Sequence, residues 1–332
     1  MAVHHIAFES TEQSPVSRRY AWWVFAILVA LMVVDYVDRQ VVVSMFPHLK
    51  KQWDLSDSQL GGLVSIVSII VALGTVPLSL LADRWSRVKS IFLMVLIWSL
   101  ATIACALAQS YLQLMGFRAL IGVGEAAYGS VGVALLATLF PARMRSMVLG
   151  AFFAAGIVGS VLGVVLGGVI SEHWGWQAGF GVVGAPGLLL AVLFVLTVRD
   201  YKTVALPSQT PTRASVKTSL SLGTVVSELL RPRTALITCV AAGLQLVMVS
   251  TTWAWLPSFF NRYYGLATDQ AGLKTGVVVL VGGVGAVLWS VVADRMSVRF
   301  PRARLLVPAA AAFLTSAFMC FAFGILSPGP AQ

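Results

Sequence analysis

Nine stretches of about 20 predominantly apolar residues divide this chain, each long enough for a helix to cross the hydrocarbon core of a bilayer. They fall at Ala21–Met45, Gly61–Ala82, Ser90–Ala108, Leu112–Phe140, Met147–Ile170, Ala178–Val198, Ala235–Phe260, Gly272–Ala293 and Leu305–Leu326. Few folds accept such runs. In lipid every backbone polar group must be satisfied within the protein, which leaves helices or closed barrels, and these runs are too continuous for alternating barrel strands. The expected fold class is therefore an all-α membrane protein. Composition agrees: 58% of residues are hydrophobic, only 11% are charged and the mean hydropathy is +0.87, too little polar surface for a chain that faces water.

The first 20 residues mix Glu9, Glu12, Arg18 and Arg19 without a short apolar core and cleavage site. They are expected to form a cytoplasmic tail rather than a removable signal. Net charge is +10, and the placement of the basic residues explains it. With the tail inside, 17 of 23 Lys and Arg residues fall in inner segments, while the outer segments hold Lys50, Lys51, Arg262 and Lys274. That asymmetry is the positive-inside pattern, and the basic residues form no single face for nucleic acid. Cys105, Cys239 and Cys320 lie in apolar spans, where they read as small buried hydrophobes. No metal-ligand spacing, phosphate loop or nucleophile elbow is present, so no enzyme activity, metal or cofactor is expected.

An internal repeat organises the chain. W-D-L-S-D-S-Q-L-G from Trp53 and Y-G-L-A-T-D-Q-A-G from Tyr264 are offset by 211 residues, and the same offset carries S-L-L-A-D-R-W-S at Ser79 onto S-V-V-A-D-R-M-S at Ser290. Two parallel six-span bundles are the implied plan. The N-terminal bundle is expected over residues 21–198, a basic, proline-containing cytoplasmic linker over 199–234, a C-terminal bundle of three spans over 235–326, and a tail over 327–332. By the repeat, Gln332 corresponds to Ile121. Nine of an expected twelve spans are thus present.

The residues that carry this repeat resemble the major facilitator superfamily, and within it the Spinster-like branch with its bacterial relatives. The resemblance rests on D-Y-V-D-R-Q at Asp35–Gln40, L-L-A-D-R-W-S-R-V-K at Leu80–Lys89, R-A-L-I-G-V-G-E-A at Arg118–Ala126 and F-P-A-R-M-R at Phe140–Arg145. It implies the superfamily fold and alternating access, with two bundles rocking about a central cavity.

Five ionisable residues fall inside spans: Asp35, Asp38 and Arg39 in the first, Arg118 and Glu125 in the fourth. A charge at mid-membrane is costly, so such groups face a wet cavity and one another. At 1.5 Å per residue, Arg39 and Arg118 each lie roughly 9 Å below the outer end of their span. Asp35 and Arg39 share a helix face, as do Arg118 and Glu125. Three carboxylates against two guanidiniums leave one acid without a full charge partner, which makes Glu125 or Asp38 the candidate proton carrier. The resemblance points to the same pairs, Asp38–Arg39 and Gly124–Glu125.

Other motifs carry narrower expectations. Asp83, Arg84 and Arg87, with the repeat counterparts Asp294 and Arg295, resemble the superfamily's loop motif, although Ser79 and Ser86 stand where glycines are usual. A carboxylate at a helix end can lock the two bundles by meeting a helix terminus of the other half, so these residues are gating candidates. Gly159, Gly163 and Gly167 have the spacing of close helix packing. It also resembles an antiporter signature, with Val164 in place of its proline. Trp176 and Phe180 match a W-R-x-x-F pattern except for Gln177. Among the aromatic residues ending the seventh span, Trp253 is the one that could reach the cavity.

The expected function is proton-coupled secondary transport of a small amphiphilic organic solute or lipid-like molecule. An organic-anion/proton symporter, with Arg39 and Arg118 holding a carboxylate, and a non-transporting membrane sensor stand as alternatives. Expected partners are membrane lipids, a small-molecule solute and protons, with no nucleic acid. The expected location is a bacterial inner membrane, N-terminus cytoplasmic.

Overall fold

The computed structural model describes residues 16–199, 232–297, 299–300 and 302–321. Among these residues the chain forms eleven helices: α1 (Arg18–Ser44), α2 (Phe46–Trp53), α3 (Asp57–Arg84), α4 (Arg87–Ala106), α5 (Tyr111–Glu125), α6 (Tyr128–Leu139), α7 (Ala142–Trp174), α8 (Trp176–Thr197), α9 (Arg233–Tyr264), α10 (Thr268–Ser297) and α11 (Ala303–Cys320). With α5 and α6 taken as one crossing, eight helices are long and apolar enough to span a membrane, and the apolar part of α11 over Leu305–Cys320 is shorter. Most of the expected tail and linker, the last residues of the ninth span and the tail at 327–332 lie outside the described residues.

Local chemistry sets the helix ends. Ser17, Ser56, Ser86 and Ser110 each accept a bond from the N–H three residues on, capping α1, α3, α4 and α5. Gln59 reaches back to the Ser56 N–H, completing a capping box. Pro141 and Pro232 precede α7 and α9, where a missing N–H costs nothing. Gly265 closes α9 at φ 61°, in the left-handed region that glycine enters freely. Two features go beyond the sequence expectation. The fourth span breaks at Ala126–Ala127, and α2 forms a short helix over the end of the bundle where α1 finishes, called here the α2 end; the opposite end carries Arg18.

The expected glycine spacing on α7 has a geometric basis. A Cβ on Gly159, Gly163 or Gly167 would lie 2.5, 2.7 or 2.7 Å from the main-chain oxygens of Val33, Val37 and Val41. Three turns of α7 thus rest directly on three turns of α1, the helix that carries Asp35, Asp38 and Arg39. Gly163→Val is expected to lower the stability of the purified protein by about 1–3 kcal/mol, through overpacking. The melting temperature in detergent reads this out, with Gly150→Ala as an unaffected control, since nothing lies within 4 Å of a Cβ there.

Helix α7 also packs directly on α10. A Cβ on Gly168 would lie 2.7 Å from the Thr268 oxygen and 3.4 Å from the Gly272 Cα. Buried residues of α10 run from Thr268 to Gly283 at helical spacing, so α10 packs on α7 through the half nearer the α2 end.

Candidate solute and ion site in the membrane interior

Glycine also explains how α5 delivers its charges. A Cβ on Gly122 would meet Ile70 and the Val67 oxygen at 2.9 and 3.0 Å, and one on Gly124 would meet the Trp98 nitrogen and Met94 oxygen at 2.7 and 2.8 Å. The pair lets α5 wedge between α3 and α4 immediately before Glu125. There the helix stops. The Ala126 oxygen, freed by the break, accepts from Thr75 Oγ1 at 2.7 Å, and the Ala127 oxygen accepts from the Val131 N–H at 2.9 Å. Tyr128 then anchors α6 by donating from its hydroxyl to the Leu28 oxygen at 2.6 Å. Broken helices at membrane depth are tolerated where protein or a cavity covers the backbone, and here the break holds Glu125 against α1.

All five charges predicted from sequence come together, though not all with the expected partners. Arg39 Nε lies 3.3 Å from Asp35 Oδ1, and Arg39 Nη2 lies 2.9 Å from Glu125 Oε2, so one guanidinium joins two carboxylates. Arg118 donates from Nε to the Leu63 oxygen at 3.1 Å and from Nη1 to the Asp38 oxygen at 3.4 Å. Glu125 thus pairs across to α1 rather than along α5 to Arg118. The reason is axial: seven residues separate the two by about two helical turns, roughly 10 Å. Asp38 is buried, and its Oδ2 meets the Thr102 hydroxyl of α4.

A cavity of about 440 Å³ lies beside this cluster, lined by α1, α3, α5, α7 and α9. Most of its wall is apolar, through residues such as Val64, Val67, Phe153, Ile157 and Leu246; Tyr36, Gln40, Ser68, Ser160, Ser250, Arg39 and Arg118 supply the polar points. The Arg39 side chain is 28% exposed, whereas that of its partner Glu125 is fully buried. Arg39 therefore presents the cluster's charge to the cavity. Its guanidinium sits 5.6 Å from the Tyr36 ring centroid, within cation–π range. Trp253 lines the cavity too. Tyr36 and Gln40 lie within the D-Y-V-D-R-Q stretch, whereas Ser160, Ser250 and Thr102 carry no local sequence signal.

Contacts between α9–α10 and the preceding helices gather at the α2 end. Arg262 donates twice to Asp57, at 2.8 and 2.7 Å, and Lys50 binds the same carboxylate at 2.7 Å. Arg262 lies over the Trp255 ring at 5.8 Å, and Trp255 packs on Phe46 with ring centroids 5.4 Å apart. Beside them Glu172 of α7 accepts from the Thr268 N–H at 3.3 Å, at the start of α10, where a helix favours a negative charge.

At the other end, Asp83 pairs with Arg87 at 2.8 Å, one turn away across the α3–α4 turn, and Arg87 donates to the Ala134 oxygen at 3.2 Å. Both contacts stay among the first six helices. Arg84, Asp294 and Arg295 are exposed.

The sequence of the chain matches the family model described as Major Facilitator Superfamily over residues 19–331, and the chain belongs to that family. Protein spinster of Drosophila melanogaster is 27% identical over 309 residues, covering 86% of this chain and 48% of that protein. The gallate transporter of Pseudomonas putida is 28% identical over 301 residues, covering 83% of this chain and 66% of that one. The chain thus spans about half the length of the spinster relative. A solved bacterial homolog to the human lysosomal transporter Spinster, in an inward-facing and unoccupied conformation, superposes with a TM-score of 0.75 at 24% identity, covering 86% of this chain and 65% of that one. The superfamily fold expected from sequence is borne out, as is the likeness to the Spinster branch.

Proposed function

We propose that the protein works in proton-coupled secondary transport of a small amphiphilic organic anion, by alternating access about the cavity beside Arg39. The observation that carries this reading is the cavity itself: about 440 Å³, mostly apolar, with one partly exposed guanidinium in its wall. That volume is in the range of small-molecule sites, which are apolar with a few placed polar groups. An anionic head would meet Arg39 while an apolar body lies against Val64, Phe153, Ile157 and Trp253. Naming of the Pseudomonas putida relative for gallate, an organic anion, supports the same class. Proton coupling follows from charge balance: binding an anion beside three carboxylates and two guanidiniums favours uptake of a proton by the cluster.

In this reading the membrane is a bacterial inner membrane, the N-terminus is cytoplasmic and the α2 end faces outward, supported by the bias of basic residues. The contacts at the α2 end then close the outer side. Asp83, Arg84, Arg87, Asp294 and Arg295 form the cytoplasmic gate, with Asp83 exchanging its Arg87 contact for one to the other bundle. An exposed bidentate pair and a cation–π contact contribute together about 1 kcal/mol, so Arg262→Ala is expected to raise outer opening about fivefold. The check is the labelling rate of Ser250→Cys in the cavity by an impermeant thiol reagent added from outside, with exposed Cys239 and Cys320 replaced by Ser. An unchanged rate contradicts a gating role for Arg262.

The function is tested by uptake of labelled amphiphilic carboxylates and their uncharged analogues into vesicles, with and without a pH gradient. Uptake of a carboxylate enhanced by the gradient supports the reading. Uptake of the uncharged analogue alone contradicts the anion, and binding without uptake points to a sensor.

A further inference from the structure

We propose that Thr102 is a positioning residue for proton transfer at Asp38, its single hydroxyl proton changing acceptor as the carboxyl gains or loses its own. The inference rests on the proton-coupled reading and assigns it a residue on a third helix, α4, outside the five charges.

The geometry is specific. Thr102 is buried, and its Oγ1 touches two acceptors: Asp38 Oδ2 across the helix interface, and the Trp98 main-chain oxygen one turn back at 2.9 Å. A hydroxyl has one proton to donate and lone pairs to accept with, so it cannot donate to both at once. With Asp38 ionised, the Thr102 proton points at Oδ2 and stabilises the charge. With Asp38 protonated, the carboxyl donates to Thr102 Oγ1, and the Thr102 proton turns to the Trp98 oxygen. Both arrangements satisfy the same heavy-atom positions, so Asp38 changes charge by a hydroxyl rotation instead of a repacking of the core. The other Asp38 oxygen, Oδ1, is buried without a hydrogen-bond partner among the described residues. Thr102 is therefore the side chain among them that bonds this carboxyl.

The remaining charges around Asp38 do not substitute for it. Arg118 of α5 acts on Asp38 through space, and its hydrogen bond goes to the Asp38 main-chain oxygen. Asp35 and Arg39 lie on α1 with it, Glu125 on α5 senses its charge, and Cys105 of α4 lies within its electrostatic reach. Between their ends, α3, α7 and α8 carry no titratable side chain. The hydrogen bond is thus the local contact that distinguishes the two charge states.

The test uses the protein reconstituted in lipid and reads the carboxyl directly, by infrared difference spectra recorded across a pH series. Asp38→Asn identifies the band of the protonated Asp38 carboxyl by its loss. Thr102→Val is expected to move that band to higher frequency and its titration midpoint upward by about one pH unit, since the ionised form loses a stronger, charge-assisted bond than the protonated form does. Thr102→Ser should superimpose on the wild type. Thr102→Ala, smaller and also without a hydroxyl, must behave as Thr102→Val, so that a packing defect peculiar to one variant does not decide the result. A band and midpoint unchanged in both variants overturn the proposal. If the band moves as expected while wild-type uptake is insensitive to a pH gradient, the role at Asp38 stands and the proton-coupled reading falls.

Discussion

Glu125→Gln is expected to abolish accumulation of solute against its gradient while leaving exchange of solute across the membrane. Each proton carried down a gradient of one pH unit supplies about 1.4 kcal/mol, enough for about tenfold accumulation. Glutamine keeps the size of the side chain and a carbonyl oxygen for Arg39, but cannot release a proton. The Glu125 side chain is fully buried and lies 2.9 Å from Arg39, so its charge state is tied to the residue that faces the cavity. The variant should therefore equilibrate labelled solute and accumulate none under an imposed pH gradient. Vesicle uptake measured with and without that gradient checks it; wild-type accumulation in both Glu125→Gln and Asp38→Asn removes proton coupling from this cluster and leaves a structural ion network.

Loss of Arg39 should be more severe. Its guanidinium joins Asp35 and Glu125, two buried carboxylates, through different nitrogens at 3.3 and 2.9 Å. Arg39→Ala leaves both acids without that partner, and breaking a buried pair in this way costs about 3–5 kcal/mol. Poor yield or a much lower melting temperature is the expected result. Arg39→Lys is the sharper probe, because an ammonium keeps the charge but lacks the planar fork that reaches two carboxylates and a cavity ligand together. It should fold, and its apparent affinity for an anionic solute should fall at least about tenfold, the equivalent of one lost charged hydrogen bond. Retention of wild-type affinity in Arg39→Lys would mean that the solute's anionic group is held elsewhere.

The crossings were legible in the sequence because each depends on a long local run of apolar residues. Charged residues in spans were equally legible, since lipid makes them conspicuous. Partner choice was not. That Glu125 meets Arg39 of α1 depends on how far α5 wedges between α3 and α4, which Gly122 and Gly124 allow through contacts with distant residues. The break after Glu125 escaped for a similar reason: neither alanine there is a helix breaker, and the freed Ala126 oxygen is satisfied by Thr75, 51 residues away. Thr102 is one of many hydroxyls that bond back along their own helix, and only its juxtaposition with Asp38 sets it apart. The α2 helix was passed over because its eight residues are too few to cross a membrane, although Pro47 near its start is a helix-entry signal.

The gating candidates show the same division. Asp83 and Arg87 form a pair that spacing alone suggests. Asp57 and Arg262 lie 205 residues apart, and Arg262 was read from sequence only as one of four outer basic residues.

The most direct test of the central claim is proton movement driven by solute alone. With the protein reconstituted in vesicles that enclose a pH-sensitive dye, and no pH or electrical gradient imposed, addition of a transported amphiphilic carboxylate outside should acidify the interior as solute enters. Addition of its uncharged analogue should not, and Glu125→Gln should carry the carboxylate without the pH change. Entry of the solute into wild-type vesicles with no movement of protons would contradict the account.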